Sequence, residues 1–371
     1  MPLQIKPYLD AQTRAFFSGF LPDSLARYRL AKYLGVSEKN AFALLEIVGG
    51  ECAGAVSLYP EGIIPLSVDK ASREVLDDQR LAEILHLLKS RPLLAGDQGL
   101  RLSLAGAQDK LAVCVEKNQV VLVKDAPTTH ILKPLIQDIE ESVLNELFCM
   151  QLAAKVGINT AKTCLGFLNE TPYLLVTRYD RLVSKTGVLR LHQEDFCQAL
   201  GILPDIKYER EGGPSIVQCQ NIITTACLKP AVDQIQFLKC LLFNYLIANA
   251  DAHGKNFSLL YQSQKPSLSP AYDLLCTAVY TDMATKMAMK IGSKYQPEAV
   301  FNRHWYQLVV NTAGARKNLR QQMRIMVDAC RIEAVTLEKS FKKLDIQSPI
   351  FAKIIKIINT RADLIIKRLL L

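Results

Sequence analysis

The stretch that decides the reading is Asn249-Ala250-Asp251-Ala252-His253-Gly254-Lys255-Asn256, which follows an apolar run from Phe237 to Ala248. The run is long enough for a buried helix, yet it ends in two potential metal ligands and a histidine. Polar groups at the end of a core helix cost about 1–3 kcal/mol each when nothing satisfies them. Partners or a bound ligand are therefore expected here. Taken alone, the octet stays ambiguous, because Asn, Asp and Gly also end ordinary helices.

Around it lie 371 residues, 49% of them hydrophobic, enough chain for one large or two ordinary domains with real cores. No early apolar block has a charged flank and a small-residue cleavage site, and no uninterrupted apolar stretch reaches about 18 residues. A cytoplasmic protein without a membrane partner is expected. Ten cysteines lie apart, mostly in apolar stretches, and none forms C-x-x-C. They read as free buried thiols, not as a zinc site or a disulfide frame. The formal charge of +9 sits at one end: Arg316 to Leu371 holds 13 Lys/Arg against 5 Asp/Glu, a net of +8. Such a face could meet nucleic acid or an acidic protein, but without interleaved aromatics it reads more simply as a solvated helix face.

Periodicity divides the chain into halves. Helices are expected from Pro22-Asp23-Ser24 to Gly35, from Asn40 to Gly49-Gly50, from Asp77 to Leu88 and from Ile139 to Val156, the last closed by Gly157. Strands are expected at Cys52–Leu58, Leu111–Val115, Val120–Val123, His130–Leu132, Thr163–Leu168 and Tyr173–Arg178. The first 20 residues show no clear period, and after Asp180 almost everything periodic is helical. The fold class this implies is α+β in two lobes: residues 1–179 as a mixed α/β lobe with an antiparallel sheet, and residues 180–371 as a helical lobe.

Several side chains are odd as structure alone. Lys133 ends the apolar strand His130-Ile131-Leu132, where a buried ammonium needs an anionic partner. Glu146 in the next helix could hold that lysine; an edge-strand Lys and a solvated Glu are the ordinary alternative. Ser103-Leu104-Ala105-Gly106-Ala107-Gln108-Asp109-Lys110 is a small-residue loop able to bring N–H groups close to phosphate oxygens, although a plain hairpin would look similar. Tyr272-Asp273 places an acid 17 positions beyond Asn256, and Asp251 to Asn256 has the D-x-x-x-x-N spacing of a kinase catalytic loop.

Together these segments resemble the HipA family of bacterial serine/threonine kinases, the toxins of type II toxin–antitoxin modules. The resemblance rests on Ser103 to Lys110, Thr129 to Pro134, Asn145-Glu146, Arg178 to Arg181, Gln193 to Gly201, Asn249 to Ser258 and Ser269 to Asp273, in family order from about Phe16 to the 340s. It implies a protein-kinase-like fold using ATP and Mg2+. Asp251 would be the catalytic base, Asn256 and Asp273 the metal ligands, and Lys133 the phosphate contact. The loop residues Ser103, Ala105, Gly106, Ala107 and Gln108 would cradle the phosphates. Thr177, Tyr179 and Asp180 would form the adenine and ribose edge, with Glu146 supporting Lys133 and His253 bracing the catalytic loop. Ser103 would also be the site of autophosphorylation.

Thr177 departs from the family's usual Glu, which puts any side-chain contact at that position in doubt. Only about fifteen residues precede Phe16, so the chain is expected to resemble the shortened kinase subunit of three-component modules. The resemblance then implies three partners: a protein substrate, an aminoacyl-tRNA synthetase; a small β-rich protein; and a helix-turn-helix antitoxin through which DNA is reached. Two other readings stay open. A small-molecule or lipid kinase shares D-x-H-x-x-N, and an idle scaffold could join a DNA-bound repressor complex through its basic tail.

Overall fold

The computed structural model describes residues 4–63, 71–97, 100–185 and 187–370. Its contacts divide the chain into two compact units, residues 1–138, 162–205 and 258–264 in the first and residues 139–161, 206–257 and 265–371 in the second. The chain thus passes between units several times, where the sequence reading placed one boundary near Asp180.

The first unit is built on an antiparallel sheet, with elements numbered in chain order: β1 (Ser72–Val75), β2 (Leu111–Glu116), β3 (Gln119–Lys124), β4 (His130–Lys133), β5 (Thr163–Leu168) and β6 (Thr171–Thr177), in the spatial order β1-β3-β2-β4-β6-β5. The sheet forms where β-branched and aliphatic residues run together. Leu111 to Cys114 and Val120 to Val123 are buried on both faces, which is why these strands read as continuous apolar runs. Leu88, Leu111, Val113 and Leu132 lie in the core over which helix α4 (Asp78–Leu88) packs, and the Asp77 side chain caps that helix by accepting from Arg80 N at 2.8 Å. A second core lies under α1 (Asp10–Ser18), α2 (Ser24–Leu34) and α3 (Ala41–Val48) and is centred on Phe20, Leu21, Leu30 and Leu44. Helix α1 falls in the stretch where no period was visible. It packs on α6 (Phe196–Leu200), where Gln198 Nε2 donates to Phe16 O at 2.9 Å. Gly19 is required at that crossing, because a Cβ would lie 2.6 Å from Gln198 Cγ.

Two sequence expectations are corrected in this unit. Cys52–Leu58 is not a strand. Its carbonyls at Cys52 and Gly54 accept from the guanidinium groups of Arg178 and Arg181, so the backbone is spent on side chains instead of a ladder. Gly54 sits at φ +74° with Gln193 N 2.8 Å from where a Cβ would be. The second correction concerns the region after Asp180, which contains a hairpin of β7 (Arg181–Ser184) and β8 (Gly187–Arg190) and a pair of β9 (His192–Asp195) with β10 (Ser258–Tyr261). These strands have four residues each, too few for a period of two to register.

The buried centre of this unit is ionic. Glu51 Oε1 accepts from Thr128 N (3.0 Å), Thr128 Oγ1, Arg178 Nη1 and Arg181 Nη2 (each 2.9 Å), and its other oxygen lies 2.5 Å from Arg190 Nη2. Asp180 accepts from Arg178, from Arg181 at 2.8 Å and from Gly54 N at 2.7 Å. Burial by itself raises both carboxyls, but the arginines and these N–H donors outweigh it and hold each below its ordinary value.

The second unit is helical: α5 (Ser142–Lys155), α7 (Ile216–Ala226), α8 (Pro230–Leu246), α9 (Asn302–Trp305), α10 (Ala313–Lys343) and α11 (Pro349–Ile365). Capping boxes or N-terminal prolines start several of them, Ser215 with Gln218 at α7 and Pro230 and Pro349 at α8 and α11. Phe148 of α5 stacks on Phe351 of α11 at 5.1 Å and meets Phe341 of α10 edge-on at 6.2 Å, all three nearly fully buried. Most basic residues of α10 are exposed, and Arg331, partly buried, pairs with Asp363 of α11. All ten cysteines are free, and Cys164 alone is exposed.

Two stability outcomes follow from this packing. Phe148→Ala should lower the unfolding free energy by about 3–5 kcal/mol, read as a lower urea midpoint. Glu51→Ala should lower it by a comparable 3–5 kcal/mol, because it leaves buried guanidinium groups uncompensated. In the unaltered protein the Glu51 and Asp180 contribution is complete above their ordinary values of 4.5 and 3.8 and is lost as pH falls through the lower folded values. The difference between unaltered and Glu51→Ala protein should therefore be constant near neutrality and shrink only in acid.

Candidate functional site

Helix α8 sets the catalytic-loop candidate by ending abruptly. Ala248 takes a left-handed conformation (φ 51°), Asn249 N returns to Asn244 O at 2.9 Å, and Asn249 Nδ2 donates to Asn244 Oδ1 at 2.8 Å. The turned chain is then pinned from inside. Asp251 N donates to Asn249 Oδ1 at 3.0 Å, Ala250 N donates to Thr277 Oγ1 at 2.8 Å, and that hydroxyl donates to Ala248 O at 2.9 Å.

Asp251 keeps 43% of its side chain exposed beside a buried His253, whose Nε2 lies 3.9 Å from Asp251 Oδ1. His253 N donates to Asp251 O at 2.8 Å and Asn256 N donates to His253 O at 2.9 Å, so the histidine braces the loop through its backbone. Tyr208, which the sequence reading did not single out, donates its hydroxyl to Asp251 Oδ1 and meets the His253 ring edge-on at 5.1 Å. Burial first, and then the neighbouring carboxylate, push the Tyr208 hydroxyl well above its usual range, so it remains a donor. Neither Tyr208 nor Thr277 lies in a periodic or motif-like segment, and no sequence signal marks them.

Asn256 and Asp273 come together: Asn256 Nδ2 lies 3.2 Å from Asp273 Oδ2, across 17 residues of chain. Asp273 takes φ 58°, a left-handed conformation that costs free energy in a non-glycine residue and is held by its surroundings. One of its neighbours, Tyr272, donates to Lys255 O at 2.7 Å. A carboxylate and an amide carbonyl are hard oxygen donors suited to Mg2+, which keeps water or phosphate oxygens in its other positions. Among the described residues there is no group of three or more His, Cys, Asp or Glu that could hold a metal ion. Glu146 is buried in α5 of this unit, one residue after Asn145, whose side chain exchanges hydrogen bonds with Cys276 N and O at 2.8 and 2.9 Å.

The first unit holds the other candidates. Lys133 ends β4 in register with Leu174 and is 6% exposed. The loop from Ser103 to Lys110 is tied down along its length. Ser103 N donates to Glu51 O, Ser103 Oγ donates to Phe20 O at 2.9 Å, and Asp23 N donates to Gly106 O. Further along, Lys110 Nζ donates to Ala105 O and Gln108 Nε2 to Pro134 O. Gly106 adopts φ +109°, which a side chain would strain, and a Cβ there would meet Lys110 Nζ at 2.5 Å. Ala105 is half-buried and Ala107 exposed, so small residues leave the loop's outer side open.

Thr177 and Tyr179 are half-buried at the end of β6. Asp180 differs from them. It is 4% exposed and both its oxygens are taken by the arginines and Gly54, so its carboxylate shapes this edge from inside. Among the described residues no helix is long and apolar enough to cross a membrane.

Residues 102–336 match the HipA-like C-terminal domain, and residues 1–59 match the HipA N-terminal domain. The chain is 44% identical over 299 residues to the putative kinase Y4mE of Sinorhizobium fredii, covering 79% of this chain and 71% of that one. It is 30% identical over 330 residues to the serine/threonine-protein kinase toxin HipA of Shewanella oneidensis, covering 83% and 73%. The structure of Shewanella oneidensis HipA with HipB and its operator DNA superposes with a TM-score of 0.76 at 25% identity, over 97% of this chain and 86% of that one. The fold is therefore the kinase-like α+β fold of those proteins, and the chain belongs to the HipA-like kinase family.

Proposed function

We propose that this chain is a cytoplasmic, ATP-dependent serine/threonine protein kinase acting as the toxin of a bacterial toxin–antitoxin system. The observation that carries the reading is the meeting of Asn256 with Asp273 in the unit that also presents a half-exposed, braced Asp251. Asp251 accepts the proton of the attacking serine or threonine hydroxyl, and Tyr208 and His253 keep that carboxylate aimed. Asn256 and Asp273 would hold Mg2+, which when bound neutralises phosphate charge. Lys133 contacts the ATP phosphates, the N–H groups of the Ser103 to Lys110 loop cradle them, and the edge from Thr177 to Asp180 takes the adenosine. Positioning and charge neutralisation do most of the work in such a transfer.

Family resemblance supports an aminoacyl-tRNA synthetase as the protein substrate, so that phosphorylation halts translation. The Shewanella oneidensis complex with HipB and operator DNA supports a helix-turn-helix antitoxin as partner, with DNA reached through it. A small β-rich companion belongs to the same proposal, and its presence or absence on co-purification from the native operon tests that part.

Asp251→Ala should bind ATP normally while phosphoryl transfer falls by roughly 10²–10⁴-fold. Undiminished transfer would remove Asp251 from its role. Asp273→Ala should instead weaken ATP binding in the presence of magnesium and leave metal-free binding unchanged, which titrations with and without the ion separate.

Autophosphorylation is also proposed at Ser103. Its hydroxyl is fully buried against Phe20 O, so modification requires that bond to open, and a phosphoserine of about −1.5 to −2 charges could not return to the same place. Mass spectrometry should find phosphate on Ser103 of active protein and none on Asp251→Ala. Ser103→Asp should bind ATP more weakly than Ser103→Ala, and equal affinities would deny the residue a regulatory part.

A further inference from the structure

Within the second unit, the segment Asn249 to Asn256 is held against the segment that follows Asp273 near both of its ends. At the far end, Asn256 Nδ2 meets the Asp273 carboxylate at 3.2 Å. At the near end a single side chain makes the connection: the Thr277 hydroxyl accepts from Ala250 N at 2.8 Å and donates to Ala248 O at 2.9 Å. Thr277 is buried, so its one hydroxyl proton is committed to that carbonyl.

Thr277 is itself anchored. Its neighbour Cys276 is gripped by the Asn145 amide of α5, which accepts from Cys276 N at 2.8 Å and donates to Cys276 O at 2.9 Å. The same amide donates to the Tyr280 hydroxyl at 3.1 Å and accepts from the Cys149 thiol at 3.5 Å, and Tyr280 in turn donates to Glu140 O at 3.1 Å. Asn145 is fully buried with its amide nitrogen and oxygen both engaged, so the chain from Cys276 to Tyr280 is fastened to α5. A two-point grip on Cys276 fixes orientation as well as position. The Thr277 hydroxyl is thereby presented to the catalytic-loop candidate from a rigid base.

We infer that Thr277 is a positioning residue, whose hydroxyl sets the base Asp251 relative to the metal ligand Asp273; this assignment rests on the kinase reading proposed above. The two ends of the loop should then respond differently when the hydroxyl is lost. Ala248 and Ala250, next to Asp251, are released, while the contact between Asn256 and Asp273 stays in place. Nucleotide binding should therefore survive while transfer suffers, because a reacting group misplaced by about 1 Å can cost on the order of 10²-fold in rate.

Three variants of the full-length protein separate the hydroxyl from the space it fills. Thr277→Val keeps the shape and removes the hydroxyl, Thr277→Ser keeps the hydroxyl and removes the methyl, and Thr277→Ala removes both. Transfer of label from γ-labelled ATP to lysate protein is measured against ATP concentration. Thr277→Val and Thr277→Ala should lower the rate at saturating ATP by about tenfold or more, with the half-saturating ATP concentration changed by less than about twofold. Thr277→Ser should retain most of the rate, and its comparison with Thr277→Ala holds even where Thr277→Val loses stability. Amide hydrogen exchange gives a readout that needs no transfer: in Thr277→Ala it should quicken in peptides spanning Ala248 to His253 and stay unchanged in those spanning Tyr272 to Cys276. Undiminished transfer by the variants without the hydroxyl, transfer by Thr277→Ser no better than by Thr277→Ala, a loss of rate explained wholly by weaker ATP binding, or unchanged exchange from Ala248 to His253 would overturn the assignment. No transfer by unaltered protein, together with the expected change in exchange, would fail the kinase reading and uphold the coupling of the two segments.

Discussion

One carboxylate organises the sheet-containing unit. Glu51 takes hydrogen bonds or ion-pair contacts from Thr128, Arg178, Arg181 and Arg190, and its own backbone carbonyl accepts from Ser103 N. The start of the phosphate-loop candidate, the approach to the Lys133 strand and the end of β6 are thereby fixed relative to one point. With Asp180 it sets two negative charges against the buried guanidinium groups of Arg178 and Arg181, where water cannot screen them, and against the partly exposed Arg190. Such a network tolerates little rearrangement, because each group left unpaired would be more costly than the pair is favourable. That rigidity is what a phosphate-binding loop requires, since its N–H groups must be aimed before the ligand arrives.

The helical unit meets a different constraint. Helix α8 drives apolar residues through the core and must then release its chain in time to present Asp251. The left-handed Ala248, the Asn249 to Asn244 side-chain bond and the Thr277 hydroxyl accomplish this turn. The desolvation penalty of the octet is met partly inside the protein. Asn249 and His253 are buried and built into the loop, while Asp251 stays half-exposed with only part of its hydrogen-bonding capacity directed at Tyr208.

How much of this the sequence carried depends on whether the signal is local. Helix starts and stops at Asp23, Asn40, Asp77, Gly35 and Gly157 were legible because caps and glycine conformations are local chemistry. The buried sheet strands were legible as apolar runs. Cys52–Leu58 misled because its backbone carbonyls are used by arginines about 127 residues away, which no window of sequence reveals. At the candidate site, the proposed residues Asp251, Asn256 and Asp273 stood out by spacing and family motif. Tyr208 and Thr277 could not, since they reach the loop only through tertiary packing. Asp180 was visible as part of a motif, but its burial under two arginines became apparent only in three dimensions.

The activity proposed for this protein is movement of a phosphoryl group from ATP to a protein hydroxyl. The most direct measurement is incubation with ATP labelled on its γ-phosphate, magnesium and a bacterial lysate, followed by identification of the labelled species and of the modified amino acid. Label is expected on one or a few proteins, as phosphoserine or phosphothreonine and dependent on magnesium. Label confined to a lipid or a small molecule, or no transfer at all by folded protein, would contradict it.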